Sequence, residues 1–180
     1  SIDKVFLLGA GAAADPVKGI LTYDTTSAVN VTNTGKAKVT DLIALRRDLG
    51  AWGLEPGDVT YVVSQDVYFD LLEDTAFQTM DKVGANATLL TGQVGAVGGS
   101  PVIVSATFPA KAGGTVTATT NYAALALAAG NFLVGNQRGL RFDTQDLVET
   151  QRKVLVASLR TGMVQLTTNL GLGCSAMRWS

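Results

Sequence analysis

A mixed α+β fold is predicted by three stretches of this 180-residue chain. Residues 38–53 carry apolar side chains at helical spacing, and residues 59–72 read as a strand running into a capped helix. Residues 131–166 hold the longest β-rich pattern and the densest arginine spacing. Helical and extended periodicities therefore lie in separate parts of the sequence.

Taken in order, residues 4–8 predict a short buried strand. Gly9-Ala10-Gly11-Ala12-Ala13-Ala14 follows and fits the G-x-G-x-x-A form of a dinucleotide-binding turn. That motif needs a helix whose amides hold the pyrophosphate, yet Pro16 disfavours helix at Asp15 and residues 17–34 are rich in Gly, Thr, Asn and Ser. Gly35-Lys36 resembles the end of a phosphate loop, but Asn30 and Ala37 stand where Gly and Ser/Thr are required.

In the helix predicted over 38–53, Val39, Leu42, Ile43, Leu49 and Trp52 form the apolar side, and Gly50 and Gly53 supply the stop. Pro56-Gly57-Asp58 is a turn, residues 59–63 a strand, and Ser64 the N-cap of a helix carrying Val67, Leu71 and Leu72. Asp66, Asp70, Glu73 and Asp74 on that helix suggest a metal or acid-base site. Without a loop of alternating oxygen ligands they read instead as a solvated face.

Residues 81–100 look irregular, 101–106 a buried strand opened by Pro101, and 108–120 a Gly-Thr-Ala loop or hairpin. Residues 122–129 and 132–134 predict two strands joined by Ala129-Gly130-Asn131. Val134, Leu140 and Phe142 then lead into a charged bend over 143–153. Beyond it, β-branched Val154, Val156 and Val164 predict a long strand, with Arg152 and Arg160 opposite Leu155, Ala157, Leu159 and Met163. The tail, 167–180, holds a glycine pair, Cys174 and Trp179, with Cys174 expected as a small packed residue.

Composition narrows the function. Hydrophobic residues make up 47% and charged ones only 16%, which excludes a disordered chain and leaves surface for neighbouring subunits to cover. A net charge of −1 offers no overall footprint for nucleic acid or anionic membrane. No stretch of sequence is long and apolar enough to span a bilayer. The single cysteine forbids an internal disulfide and suggests a reducing compartment. The absence of histidine removes Ser-His-Asp and Cys-His nucleophile pairs and His-based zinc sites. No enzyme activity and no cofactor are expected.

Several stretches together resemble the C-terminal half of a tailed-bacteriophage major capsid protein, the Hong Kong phage-type capsid fold. They are Asp15-Pro16-Val17-Lys18-Gly19-Ile20, residues 59–72, Gly84-Ala85-Asn86 leading to Gly99-Ser100-Pro101-Val102, Asn131-Phe132, Arg138-Gly139-Leu140-Arg141, and the run from Thr150-Gln151 to Arg160. Their order and spacing span about residues 15–166. The resemblance implies an axial domain over 36–135, a mixed sheet flanked by helices. It implies a peripheral-domain segment entering over 1–35, and return strands plus a C-terminal tail over 136–180. The family's N-terminal arm, hairpin loop and spine helix precede the equivalent of Ser1, so the chain is expected to be a fragment. Family cross-linking is not carried over: no Asp or Glu lies between Arg152 and Gln165.

The implied role is a self-assembling subunit of a phage or prophage icosahedral shell, built from pentamer and hexamer capsomers in the bacterial cytoplasm and enclosing DNA held without sequence specificity. Other capsid, scaffold or portal proteins are the further partners; a membrane is not. Arg138, Arg141, Arg152 and Arg160 are the candidates for intersubunit ion pairs with Asp143, Asp146 and Glu149. Two rivals stand beside this reading. An encapsulin nanocompartment would have an inner surface binding a cargo peptide. A small α/β nucleotide-binding enzyme built on Gly9–Ala14 would show nucleotide protection in a thermal-shift assay.

Overall fold

The computed structural model describes residues 6–7, 19–22, 29–31, 35–74, 95–108, 122–147, 149, 151–166 and 173–179. Gly9–Ala14 and most of residues 81–100 and 108–120 lie outside them. In chain order the described elements are β1 (Val29–Val31), α1 (Val39–Asp48), β2 (Val59–Val63), α2 (Gln65–Glu73), β3 (Ala96–Val97), β4 (Ser100–Val104), β5 (Tyr122–Ala128), β6 (Phe132–Leu147), β7 (Arg152–Gln165) and β8 (Cys174–Trp179). Six strands form one mixed sheet in the order β1-β8-β5-β2-β4-β3, and β6 and β7 form a separate two-stranded ribbon. The fold is α+β, as predicted.

The sheet is buried on both faces at its centre. β5 reads Tyr-Ala-Ala-Leu-Ala-Leu-Ala, a near-continuous apolar run suited to a strand covered on both sides. It pairs antiparallel with β2, Val59 opposite Ala128 and Val63 opposite Ala124, and with β8 on its other edge. On one face Val59, Tyr61, Val63, Ala124, Ala126, Met177 and Trp179 pack with Leu42, Leu45 and Leu49 from α1 and its C-cap, and with Val67 and Leu71 of α2. On the other, Leu125, Cys174 and Ala176 pack with Leu7, Leu21 and Phe108. Burying a large aliphatic or aromatic side chain contributes roughly 1.5–3 kcal/mol each, so this two-sided core dominates stability.

Local chemistry explains the helices. Ser64 caps α2 as predicted, its Oγ accepting from the Val67 amide at 3.3 Å. α1 begins at Lys38, which has no side-chain acceptor to offer the first turn. Carboxylates take over: Lys38 N donates to Asp41 Oδ2 at 2.8 Å, Ala37 N to Asp70 Oδ2 at 3.0 Å, and Val39 N to Asp74 Oδ2 at 3.0 Å. Asp70 lies in α2 and Asp74 is its C-cap, so one helix caps the other. At the far end α1 gives way to a 3-10 turn, Gly50–Gly53. There Arg46 donates to three carbonyls, Gly53, Gly98 and Leu54, at 2.6, 2.9 and 3.0 Å. A Cβ on Gly53 would stand 2.3 Å from the Arg46 carbonyl oxygen, so only glycine closes this turn.

Four expectations are corrected. Phe6 and Leu7 are helical rather than extended. Ile43, expected inside, is half exposed, and Leu45, absent from the predicted face, is buried. The predicted buried strand after Pro101 leaves Ile103 and Val104 largely exposed, since only the two residues of β3 pair beyond β4. The tail is no tail: Cys174–Trp179 is β8, inserted between β1 and β5. Strand pairing puts β1 and β8 in the same sheet as β2 and β5. Ser175 Oγ also donates to Asp48 Oδ2 of α1 at 2.7 Å, and Arg178 stacks 4.9 Å above the Tyr122 ring.

Candidate functional site

The ribbon is where predicted site residues gather. The bend expected over 143–153 is far shorter: β6 runs to Leu147 and β7 begins at Arg152, with Gln151 at a positive φ of 52° in the turn between them. Hydrogen-bonding potential explains the difference, because polar residues in an antiparallel pair satisfy their backbones across the ladder as well as apolar ones do.

Residues opposite one another in the ladder share a face. Leu133–Val164, Gly135–Gly162, Arg138–Arg160, Arg141–Ser158 and Asp143–Val156 are such pairs. Two register shifts, between Asn136 and Arg138 and between Arg138 and Arg141, reset the alternation of β6. Arg138 and Arg141, three positions apart, therefore reach the same side, where Arg152 and Arg160 already lie on β7. All four predicted arginines share one face. The other face presents Val134, Phe142, Leu155, Ala157 and Leu159, with Met163 buried at its base. Phe142 and Leu155 are 60% and 64% exposed.

The predicted acids are distributed differently. Asp143 accepts from Arg141 Nε at 2.8 Å on the arginine face. Asp146 lies on the opposite face, 3.8 Å from Lys153, its cross-strand partner. Lys153 is a charge that sequence reasoning missed, since only the register places it against Asp146. Glu149 is exposed in the turn. Arg138, Arg152 and Arg160 are exposed and make no ion pair among the described residues. Facing Gly135 and Gly162 leave a shallow hollow of about 780 Å³ beside the Arg138–Arg160 pair, edged by Leu133, Arg160 and Val164.

The other predicted chemistry resolves into structure. Asp70 and Asp74 hold the start of α1, and Glu73 pairs with Lys36, whose ammonium is held above its usual range first by that hydrogen bond. Three of the four acids, Asp70, Glu73 and Asp74, are thus not merely solvated. No group of acids, cysteine or histidine suited to a metal occurs among the described residues. Cys174 is buried in the core as expected. Burial raises the Tyr61 phenol, with Arg46 acting in the opposite direction. No described helix is long and apolar enough to cross a membrane.

No protein-family model matches the chain. The major capsid protein of Escherichia phage T5 is 33% identical over 175 residues, covering 94% of this chain and 36% of the T5 protein. The chain thus spans about a third of the length of that relative. The capsid structure of the cyanophage P-SCSP1u superposes with a TM-score of 0.65 at 16% identity, over 89% of this chain and 59% of that one. The holo-SrpI encapsulin complex from Synechococcus elongatus PCC 7942 gives 0.55 at 14% identity, over 89% and 56%.

Proposed function

We propose that this chain, which has the fold of the tailed-phage major capsid proteins and matches part of one in sequence, is a structural subunit of a phage or prophage shell. Its work is self-association into capsomers rather than catalysis. The observation that carries this reading is the ribbon: a long two-stranded arm with large exposed apolar side chains, on which Arg138, Arg152 and Arg160 make no ion pair among the described residues. An isolated two-stranded sheet is marginal in water, and an apolar surface of this kind marks a site of protein contact. In this reading residues 36–135 with β1 and β8 form the capsomer-closing unit, and the ribbon reaches towards neighbours. Packaged DNA, held without sequence specificity, and other capsid, scaffold or portal proteins are the remaining partners of the assembled virion.

Similarity to the T5 protein favours a phage shell over an encapsulin, since the encapsulin likeness is one of fold at low identity. Electron microscopy and light scattering of the protein expressed alone, over a concentration series, test the proposal. Growth of particle mass with concentration is the expected result. A species that stays monomeric at every concentration would sink it.

A further inference from the structure

We infer that Arg138, Arg160 and the glycine-floored hollow beside them form a clasp for a carboxylate carried by a second copy of this chain, an inference that rests on the self-association proposed above. Three observations carry it.

The first is the register. Arg138 and Arg160 are direct cross-strand partners, an arrangement in which like charges repel. Arg141 lies on the same face, but its charge is offset by Asp143 through their ion pair. No described acid reaches Arg138 or Arg160. The ladder gains nothing from holding two guanidinium groups together unless an anion bridges them, and planar guanidinium forks suit a carboxylate bidentately.

The second is shape. Gly135 and Gly162 face each other next to the arginine pair, so the side-chain row is interrupted and a hollow opens with Leu133 and Val164 on its walls. An acidic side chain approaching the arginines brings its own neighbours into an apolar recess, which strengthens the ion pairs by excluding water.

The third is charge complementarity. Four arginines and one aspartate leave this face strongly positive, while the rest of the chain carries ten basic and fourteen acidic residues. The excess of carboxylates that the face lacks is present on every other copy. Nucleic acid is disfavoured as the occupant because the chain as a whole is at −1, without the basic excess of a nucleic-acid-binding protein.

Sedimentation velocity of the chain at about 0.05 M and about 0.5 M salt tests the clasp, with fluorescence anisotropy against single- and double-stranded DNA alongside. The double variant Arg138→Glu/Arg160→Glu should weaken self-association at low salt by about tenfold or more and flatten its salt dependence. Arg138→Lys/Arg160→Lys, which keeps the charge and loses the forks, should fall between. Lys38→Glu/Arg47→Glu makes the same change of net charge on α1 and its cap and should leave association unchanged. Equal loss from that control, or none from the ribbon variant, overturns the clasp while leaving the shell reading intact. DNA binding abolished by the ribbon variant, with association unaffected, overturns it in favour of nucleic acid. A wild-type chain that never associates overturns both.

Discussion

The six-stranded sheet and the β6–β7 ribbon use similar strand-forming residues to opposite ends. In the sheet, β2, β5 and β8 bury Tyr61, Leu125 and Trp179 completely between α1 and α2 on one side and Leu21 and Phe108 on the other. In the ribbon, strands of 16 and 14 residues leave Leu140, Phe142, Leu155 and Val156 half exposed or more. Both are long ladders interrupted by register shifts, so backbone pairing does not distinguish them. Cover does. The sheet stabilises itself, whereas the ribbon is anchored at its base, where Leu166 N donates to the Asn131 carbonyl at 2.8 Å and Met163 is buried. A region whose apolar groups find no cover within the described fold is the region available to a neighbour.

The sharpest test of this contrast removes one aromatic from each region. Trp179→Ala should cost about 3–5 kcal/mol, enough to abolish cooperative thermal unfolding or shift it far down. Phe142→Ala, at a solvent-facing ribbon position, should leave the monomer's melting within about 0.5 kcal/mol of wild type while reducing association. Comparable losses of melting stability in the two variants would mean that the ribbon is part of the core.

The junction between the regions comes next in size. Gly173 has φ +75° and its carbonyl accepts from Ala128 N at 2.9 Å, and an added Cβ would lie 2.6 Å from the Asn131 side-chain nitrogen. Gly173→Ala should cost roughly 1–3 kcal/mol and speed amide exchange at the ribbon base and β8 together. Exchange confined to β8 would show that the ribbon is anchored elsewhere.

Capping effects are smaller. Asp70→Ala, which strips the acceptor from Ala37 N, should lower stability by about 1 kcal/mol through the sheet's helical layer and leave ribbon-driven association untouched. A change in association without a change in melting would reverse the roles assigned to the two regions.

The smallest effect belongs to Lys36. Its folded pKa is raised above 10.5 by Glu73, so its contribution is fully present below that value and disappears as alkaline pH rises through the folded pKa. Because the pair is solvent-exposed, Lys36→Met should leave melting at neutral pH indistinguishable from wild type and slightly reduce its alkaline dependence. A large drop at neutral pH would place this surface pair among the determinants of the sheet.

Much of this was legible in residues alone. Helical spacing located α1, Ser64 marked the start of α2, and the Ala129-Gly130-Asn131 break separated β5 from β6. The absence of histidine and the failed phosphate loop turned the reading away from catalysis, and ordered short motifs pointed to a capsid fold. These signals are local, and each depends on a few adjacent side chains meeting one backbone requirement.

What tertiary structure alone decided depends on pairing between distant segments. The short run Cys174–Trp179, preceded by Gly171 and Gly173, looks like a loose end until β1 and β5 close on either side of it. Asp70 and Asp74 look like a solvated acidic face until the start of α1 comes within hydrogen-bond reach. Arg138 and Arg141 lie on opposite sides of any regular strand, and only the two register shifts in β6 bring them onto the face of Arg152 and Arg160. Period-two alternation predicts faces only while register is unbroken, and register is set by the partner strand.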